Sequence, residues 1–570
     1  MPGDYKNVED PKRAGFFESY RSILLTAGAF LLAGAAWHSS KQVLTTEIIA
    51  VPSRCGKIDA ISPSFDKSID TIFNDAAFRE ESLAKFSESL RIPTEIQDVN
   101  PIPADDLDYY KEFFKFHEYL ERTFPLVHKH LKLEKVNDLG LLYTWEGKNS
   151  NLKPMMFTAH QDVAPVNNDT IGRWKYPPYS GYYDNETDFV WGRGACDCKN
   201  LLIAELEAVE QLIKDGFEPE RGVLIALGFD EESSGILVAN TLSDFLYERY
   251  GDEGIYSIVD EGGVVVKLDE NVYVAAPITA EKGYVDTKVT VHGHGGHSSV
   301  PPDHTTIGIA AELISLMESQ PFDYSFTPEN PIYGFLTCVA EHKSGLPAEL
   351  KSAILDAPYD EKSKQKLIAF VSRDRMAREL LRTSQAVDII NGGIKANALP
   401  EVTSFLVNHR IDINSSVKEV VERDLSLVKA IAKKFGYGVT FDGKEIIAAT
   451  ANGYIEVEAE KGLEPAPQSP TVDSAEWDLF AGTIQNVFQN GLFKDNEEAE
   501  VYVTTSLVTG NTDTKYYWAL SKNIYRFMAL VGAKDLLTTI HSVNEHIAMS
   551  SHLSTIAFIY EYIVNVNERG

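Results

Sequence analysis

Residues 154–162 read Pro-Met-Met-Phe-Thr-Ala-His-Gln-Asp (PMMFTAHQD), an apolar run of strand length that stops on a histidine and an aspartate. Two further stretches have the same form. Arg221 to Phe229 (RGVLIALGF) runs into Asp230-Glu-Glu-Ser-Ser-Gly235, and Ile255 to Val259 (IYSIV) runs into Asp260-Glu-Gly-Gly263. Leu141 to Trp145 predicts another strand. A helical pattern over about 201–214 carries apolar residues at 202, 206, 209 and 213. Short apolar strands alternating with amphipathic helices predict an α/β fold with an open sheet. Ligands of such sheets bind beyond the carboxyl ends of the strands. That edge receives His160, Glu231-Glu232 and Asp260-Glu261, and Asp197 stands just ahead of the helix.

Working outward, the pattern changes at Lys282. Alternation over Val285–Val291, a helix over Thr306–Ser319 and strands near 403–411 and 437–442 predict an inserted α+β lid domain over 282–445. The catalytic domain then spans 105–281 and resumes over 446–570, with a helix at Ala475–Gln489. Residues 39–104 read as a stalk followed by accessory helices.

The chain has 570 residues, beyond the size at which one core keeps growing, so at least two packed units are expected. Its net charge of -31 and the lack of any basic stripe disfavour nucleic acid as a partner. Cysteines stand at 55, 196, 198 and 338, too few for a disulfide scaffold; Cys55 and Cys338 leave one pairing open.

Lys12, Arg13 and Arg21 precede an uncharged run from Ser22 to Trp37. This predicts a cytoplasmic tail over 1–21 and a signal anchor, a single type II membrane span, over 22–38. A cleaved signal peptide ending near Ala33-Gly-Ala35 is the alternative. Sixteen helical residues reach roughly 24 Å, short of the ~30 Å hydrocarbon core without help from their flanks. Either reading sends the remainder into a lumen, in keeping with sequons at Asn168, Asn185 and Asn414.

Each candidate group has a plain structural account by itself. A lone histidine at a strand end is usually a satisfied structural residue, and Glu231-Glu232 reads as a solvated acidic loop. The chemical account gives one glutamate to a metal and leaves its neighbour as general base. Asp162, two residues after His160, suits an imidazole-orienting carboxylate. With His541 in IHSVNEH, the set supplies two histidines and three carboxylates, a donor set suited to zinc. No HExxH, GxSxG, Walker or GxGxxG motif competes.

The succession FTAHQDV, WGRGACDCKN, GFDEESSG, IVDEGG, GHGGHSSVPP, NGGIKANALP and HSVNE resembles the di-zinc peptidase family of aminoacylases, carnosine dipeptidases and carboxypeptidase S, from about residue 105 to the C-terminus. The resemblance implies a zinc-exopeptidase-like open sheet flanked by helices, with a lid, and two Zn²⁺ per subunit. Asp197 would bridge the ions, His160 and Asp260 completing one site and Glu232 and His541 the other, with Glu261 the alternative to Asp260. Asp162 would orient His160 and Glu231 would be the general base toward a metal-activated water. Cys196 and Cys198 would then be packing residues, directed away from the side Asp197 faces.

For substrate, the resemblance implies His297 near the oxyanion, Asn397 in the NALP turn and Arg410 gripping a carboxylate, which guanidinium pairs bidentately. Lys515 stands where many relatives carry Arg. The implied activity is release of the C-terminal residue from small peptides with a free carboxylate, preferentially after glycine, in a vacuolar or lysosomal lumen. An N-acyl-amino-acid hydrolase and an inactive binding protein on the same scaffold are the alternatives. A homodimer, in which the lid histidine reaches a partner's site, stays open.

Overall fold

The computed structural model describes residues 54–65 and 68–570. The predicted tail, the anchor over 22–38 and the start of the stalk lie outside the described residues. Among those described, no helix is long and apolar enough to cross a membrane.

The predicted strands assemble into a mixed sheet of ten strands. Its main path runs 132–136, 140–145, 223–228, 155–160, 258–267, 524–531, 278–281 and 506–508. Strands 155–160, 223–228, 258–267 and 524–531 are mutually parallel, with His160 level with Gly228 and Phe157 level with Val259. Alternation gives the sheet two apolar faces. Leu142, Met156, Leu224 and Ala226 pack beneath helix Ala239–Tyr250. Leu141, Phe157, Ile225 and Leu227 pack under helices Lys199–Asp215, Ala475–Asn486 and Met549–Arg569.

Helix Lys199–Asp215 is buried almost all round, beyond what its apolar stripe predicts. Glu207 meets Lys85 at 3.2 Å and Ser82 at 3.0 Å, and Glu210 accepts the Val127 N–H at 2.8 Å. These partners come from helices Ala76–Ser89 and Pro125–His130, which cover that face. The accessory segment also reaches the sheet edge: Lys199 donates to the carbonyls of Ser89 and Ile92, and Val163 to that of Thr94.

The second sheet has six strands in the order 384–392, 402–411, 283–292, 454–463, 438–441 and 444–447. Helices Thr306–Ser319 and Val417–Phe435 cover it around Val289, Phe405, Val428 and Val457. This second sheet thus includes Tyr454–Leu463, past the boundary expected at 445. Helices Ile332–His342, Ala348–Asp356 and Glu361–Val371 lie within the lid's sequence yet bury Phe335, Ile354 and Leu367 in the first sheet's core. A disulfide joins Cys338 of that helical segment to Cys55.

Candidate active site

The carboxyl edge gathers His160, Asp197, Glu232 and His541. Asp197 spans the group: Oδ1 lies 3.1 Å from His160 Nε2 and Oδ2 lies 2.9 Å from His541 Nε2. Glu232 Oε2 is 2.9 Å from the same His541 nitrogen. His541 adopts a left-handed backbone at φ 54°, uncommon for a non-glycine residue and a conformation that functional sites often hold.

Asp162 ties two of these residues together. Its Oδ2 accepts the Glu232 N–H at 3.0 Å, and its backbone oxygen faces His160 Nδ1 at 2.9 Å. A proton held on Nδ1 leaves Nε2 as a lone-pair donor aimed at Asp197. Glu232 is fixed further by the Ala164 N–H at 2.9 Å on Oε1, which leaves Oε2 toward His541.

Asp260 does not join the group. Glu261 does, its Oε1 lying 3.5 Å from His160 Nε2. The strand that was expected to end at Val259 runs on to Lys267, and alternation sends residues 260 and 261 to opposite faces. Asp260 is buried among Arg526, Asp513 and Glu205 instead, its Oδ1 accepting the Glu261 N–H at 2.8 Å. The strand bulges there, between Asp260 level with Arg526 and Gly263 level with Phe527, and Gly262 takes φ 144° with a Cβ position only 2.8 Å from Arg526.

Cys196 and Cys198 are both buried, yet Cys198 does not face away. Its Sγ accepts the His160 N–H at 3.3 Å, and Sγ, a His160 nitrogen and a Glu261 oxygen lie within 4.8 Å of one another. The backbone there is not extended: residue 198 caps the following helix at φ -131° and ψ 35°.

Glu545 was missed. It accepts N–H groups from Cys196 at 2.8 Å and Asp197 at 3.1 Å, and pairs with buried Arg193 at 2.7 Å. Its only sequence signal is its place in HSVNE, beside the candidate histidine.

Charge crowding marks the site. Burial, then the Glu261 charge, pushes the Glu231 carboxyl well above the ordinary range. Burial and Asp197 raise Glu261 to about 8, and burial and Asp513 raise Asp260 to about 7. Burial works against ionised Asp197, but hydrogen bonds from His160 and His541 outweigh it and hold that carboxyl far down. Hydrogen bonds to Asp197 and Glu232 raise His541 to about 10.

Such an anionic cluster fits bound cations. Tetrahedral zinc with ligand bonds of about 2.0–2.2 Å sets its donor atoms roughly 3.3–3.6 Å apart. The 3.5 Å separation falls in that range, and those of 3.1, 2.9 and 2.9 Å are somewhat shorter, so the donors already stand close enough to converge on an ion. Two donor groups share Asp197, one oxygen each.

The residues expected to bind substrate from a lid lie on the second sheet and its hairpin. His297 and Asn397 are exposed in a small hairpin where Gly296–His297 pairs with Ala398–Leu399, and His297 Nδ1 bonds Ser299 Oγ at 2.7 Å. Arg410, on strand Val402–Ile411, donates to Asn511 Oδ1 at 3.2 Å and lies over the Tyr284 ring. Lys515 sits in a short 3₁₀ turn, Asp513–Tyr516, with its ammonium over the Tyr516 ring.

Residues 156–565 match the sequence profile of peptidase family M20/M25/M40. The chain belongs to this family. Carboxypeptidase S of Saccharomyces cerevisiae is 56% identical over 98% of this chain and 99% of its own length. An N-fatty-acyl-amino acid synthase/hydrolase of Mus musculus is 30% identical over 86% of this chain and 89% of its own. An M20 family metallo-carboxypeptidase from Sulfolobus solfataricus, 18% identical, shares the fold at a TM-score of 0.55, over 86% of this chain and 99% of that one. M20 peptidases are metal-dependent, and the groups His160, Cys198, Glu261 and Asp197, Glu232, His541 each bring together side chains that could hold a metal ion.

Proposed function

We propose that this chain is a zinc-dependent carboxypeptidase that releases the C-terminal residue of small peptides, preferentially after glycine. The observation that carries the reading is Asp197, with one carboxylate oxygen on His160 and the other on His541. His160 and Glu261 would complete one zinc site, and Glu232 and His541 the other. Two zinc ions there would polarise the scissile carbonyl and lower the pKa of a water molecule.

The chain's own residues do the rest. Glu231 takes the water's proton and delivers it to the departing amine, a role suited to a carboxylate whose burial makes it basic. Asp162 keeps His160 in the tautomer that presents Nε2. Arg410 pairs with the substrate's terminal carboxylate, and His297 with Asn397 would meet the oxyanion.

Purified full-length protein tests this. Hydrolysis of blocked Gly-Leu peptides, about two zinc ions per chain and loss of turnover on chelation are expected. A clear preference for long-chain N-acyl amino acids would overturn the carboxypeptidase assignment in favour of an acyl-amino-acid hydrolase.

The catalytic part belongs in an oxidising, lytic lumen on this reading. The Cys55–Cys338 disulfide and the exposed sequon residues Asn168, Asn185 and Asn414 favour it. Carbonate extraction should leave the full-length chain in the membrane pellet. A wholly soluble chain beginning near residue 36 would mean a cleaved signal instead.

A homodimer through the lid accounts for the edge strand Ser384–Gly392, which exposes Ile389 and Ile390. Analytical ultracentrifugation should give about twice the chain mass, and Ile390→Arg should return the monomer.

A further inference from the structure

Beside the candidate metal ligands lies a cavity of about 520 Å³ that the sequence reading did not anticipate. Gly262, which follows Glu261, and Ile540, which precedes His541, both line it, so it borders the ligand cluster. Val264 and Met528 form its floor from neighbouring strands of the first sheet. Leu536 and Ile540 make one wall.

The opposite wall is supplied by residues 375–380, the end of the helical segment that departs from the lid to pack on the first sheet. Met376 and Leu380 face the cavity from there. Glu379, the acidic residue among them, has both carboxylate oxygens on Arg378 and Arg382. The interior is therefore mainly apolar, with Arg375 and Arg410 as the two cations on its lining and Arg410 the one expected to grip a carboxylate. An apolar hollow lined by Arg410 and by the chain neighbours of Glu261 and His541 matches one half of a peptide. The guanidinium meets the terminal carboxylate, the hollow takes that residue's side chain, and the scissile bond lies at the metal end.

We infer that the segment 375–380 builds the specificity pocket for the released residue and selects bulky apolar side chains, with Met376 and Leu380 as the determinants. The inference rests on the carboxypeptidase reading above. The volume exceeds that of one leucine side chain, so phenylalanine and leucine fill it better than alanine or glycine, which leave apolar surface wet.

Zinc-loaded full-length enzyme is assayed with acetyl-Gly-Leu, acetyl-Gly-Phe, acetyl-Gly-Ala and acetyl-Gly-Gly. Wild type should favour the first two by at least tenfold in kcat/KM. Met376→Trp, a change at a partly exposed position, should fill the hollow and raise KM at least tenfold for the Leu and Phe peptides while altering the Ala and Gly peptides less than threefold. Leu380→Ala should move preference from Leu toward Phe. Zinc content and melting temperature are measured for each variant, so that a folding defect is seen as such. Equal turnover of all four peptides by wild type, or a uniform loss in a folded, zinc-replete Met376→Trp, would overturn the pocket assignment and leave the carboxypeptidase reading standing. No hydrolysis of any peptide by zinc-replete wild type would overturn both.

Discussion

The Glu545 carboxylate receives the backbone N–H of Asp197 at 3.1 Å, across 348 residues of chain. Its other oxygen holds buried Arg193 at 2.7 Å. This clamp fixes the loop that carries the shared carboxylate. Glu545→Ala strands a buried guanidinium, and breaking such a pair from one side costs about 3–5 kcal/mol. Chemical denaturation should show that loss, zinc occupancy should fall, and adding Arg193→Met should recover part of the stability but not the metal.

Glu231 and Glu232 separate by metal content. Glu231→Ala removes the proposed base and leaves the donor set whole, so both zinc ions should stay bound while turnover falls by the ~10²–10⁴-fold typical of a lost base. Glu232→Ala removes a donor and should weaken one zinc site. Zinc analysis beside kinetics decides it; the opposite pattern would reverse the two roles.

The pair at 260 and 261 separates in the same way. Glu261→Gln should lower zinc occupancy by about one ion per chain, because its carboxylate faces His160. Asp260→Asn should keep both ions, because that side chain faces Arg526 and Asp513. Zinc loss in Asp260→Asn with retention in Glu261→Gln would restore the expectation drawn from sequence.

Cys55 and Cys338 close a loop across a separation of 283 residues. Cys338→Ser should lower stability by about 2–5 kcal/mol, and thermal melts of wild type with and without reductant should differ in the same sense. Zinc content of the folded variant should be unchanged, since the disulfide lies on the helical segment and not at the ligand cluster.

Asp424 in the lid is fully buried, its Oδ2 at 2.7 Å from His409 Nε2 and its Oδ1 at 2.9 Å from Arg423. Burial pushes this carboxyl up, but His409 and Arg423 prevail and hold it below its ordinary value. A carboxyl depressed by folding contributes stability that is complete above its unfolded pKa of roughly 3.9 and is lost as pH falls through the lower folded value. Asp424→Asn should therefore destabilise the protein by about 3 kcal/mol near neutrality, with the gap closing below about pH 4. Urea melts of both proteins from pH 3 to 7 read this directly.

Sequence alone determined the sheet and most of the cluster. Period-two alternation places Met156 and Phe157 on opposite faces, and polar residues directly after apolar runs mark the carboxyl edge, so His160, Glu231 and Glu232 were legible where they stand. The helix Thr306–Ser319 and the lid strands followed from their periodicity for the same reason: the pattern is local. What was not legible depends on contacts between distant segments. Which of Asp260 and Glu261 faces His160 turns on where a strand stops, and strand 258–267 continues because strands 272–275 and 524–531 pair along it. The burial of Glu207 depends on helix Ala76–Ser89 of the accessory segment and that of Glu210 on helix Pro125–His130, and the clamp of Glu545 on Asp197 joins residues 348 apart. The helical segment 332–381, read as part of the lid, packs on the first sheet because its apolar residues find partners there. Side-chain chemistry is written along the chain, but the partner that buries, pairs or excludes it is chosen only when the chain closes on itself.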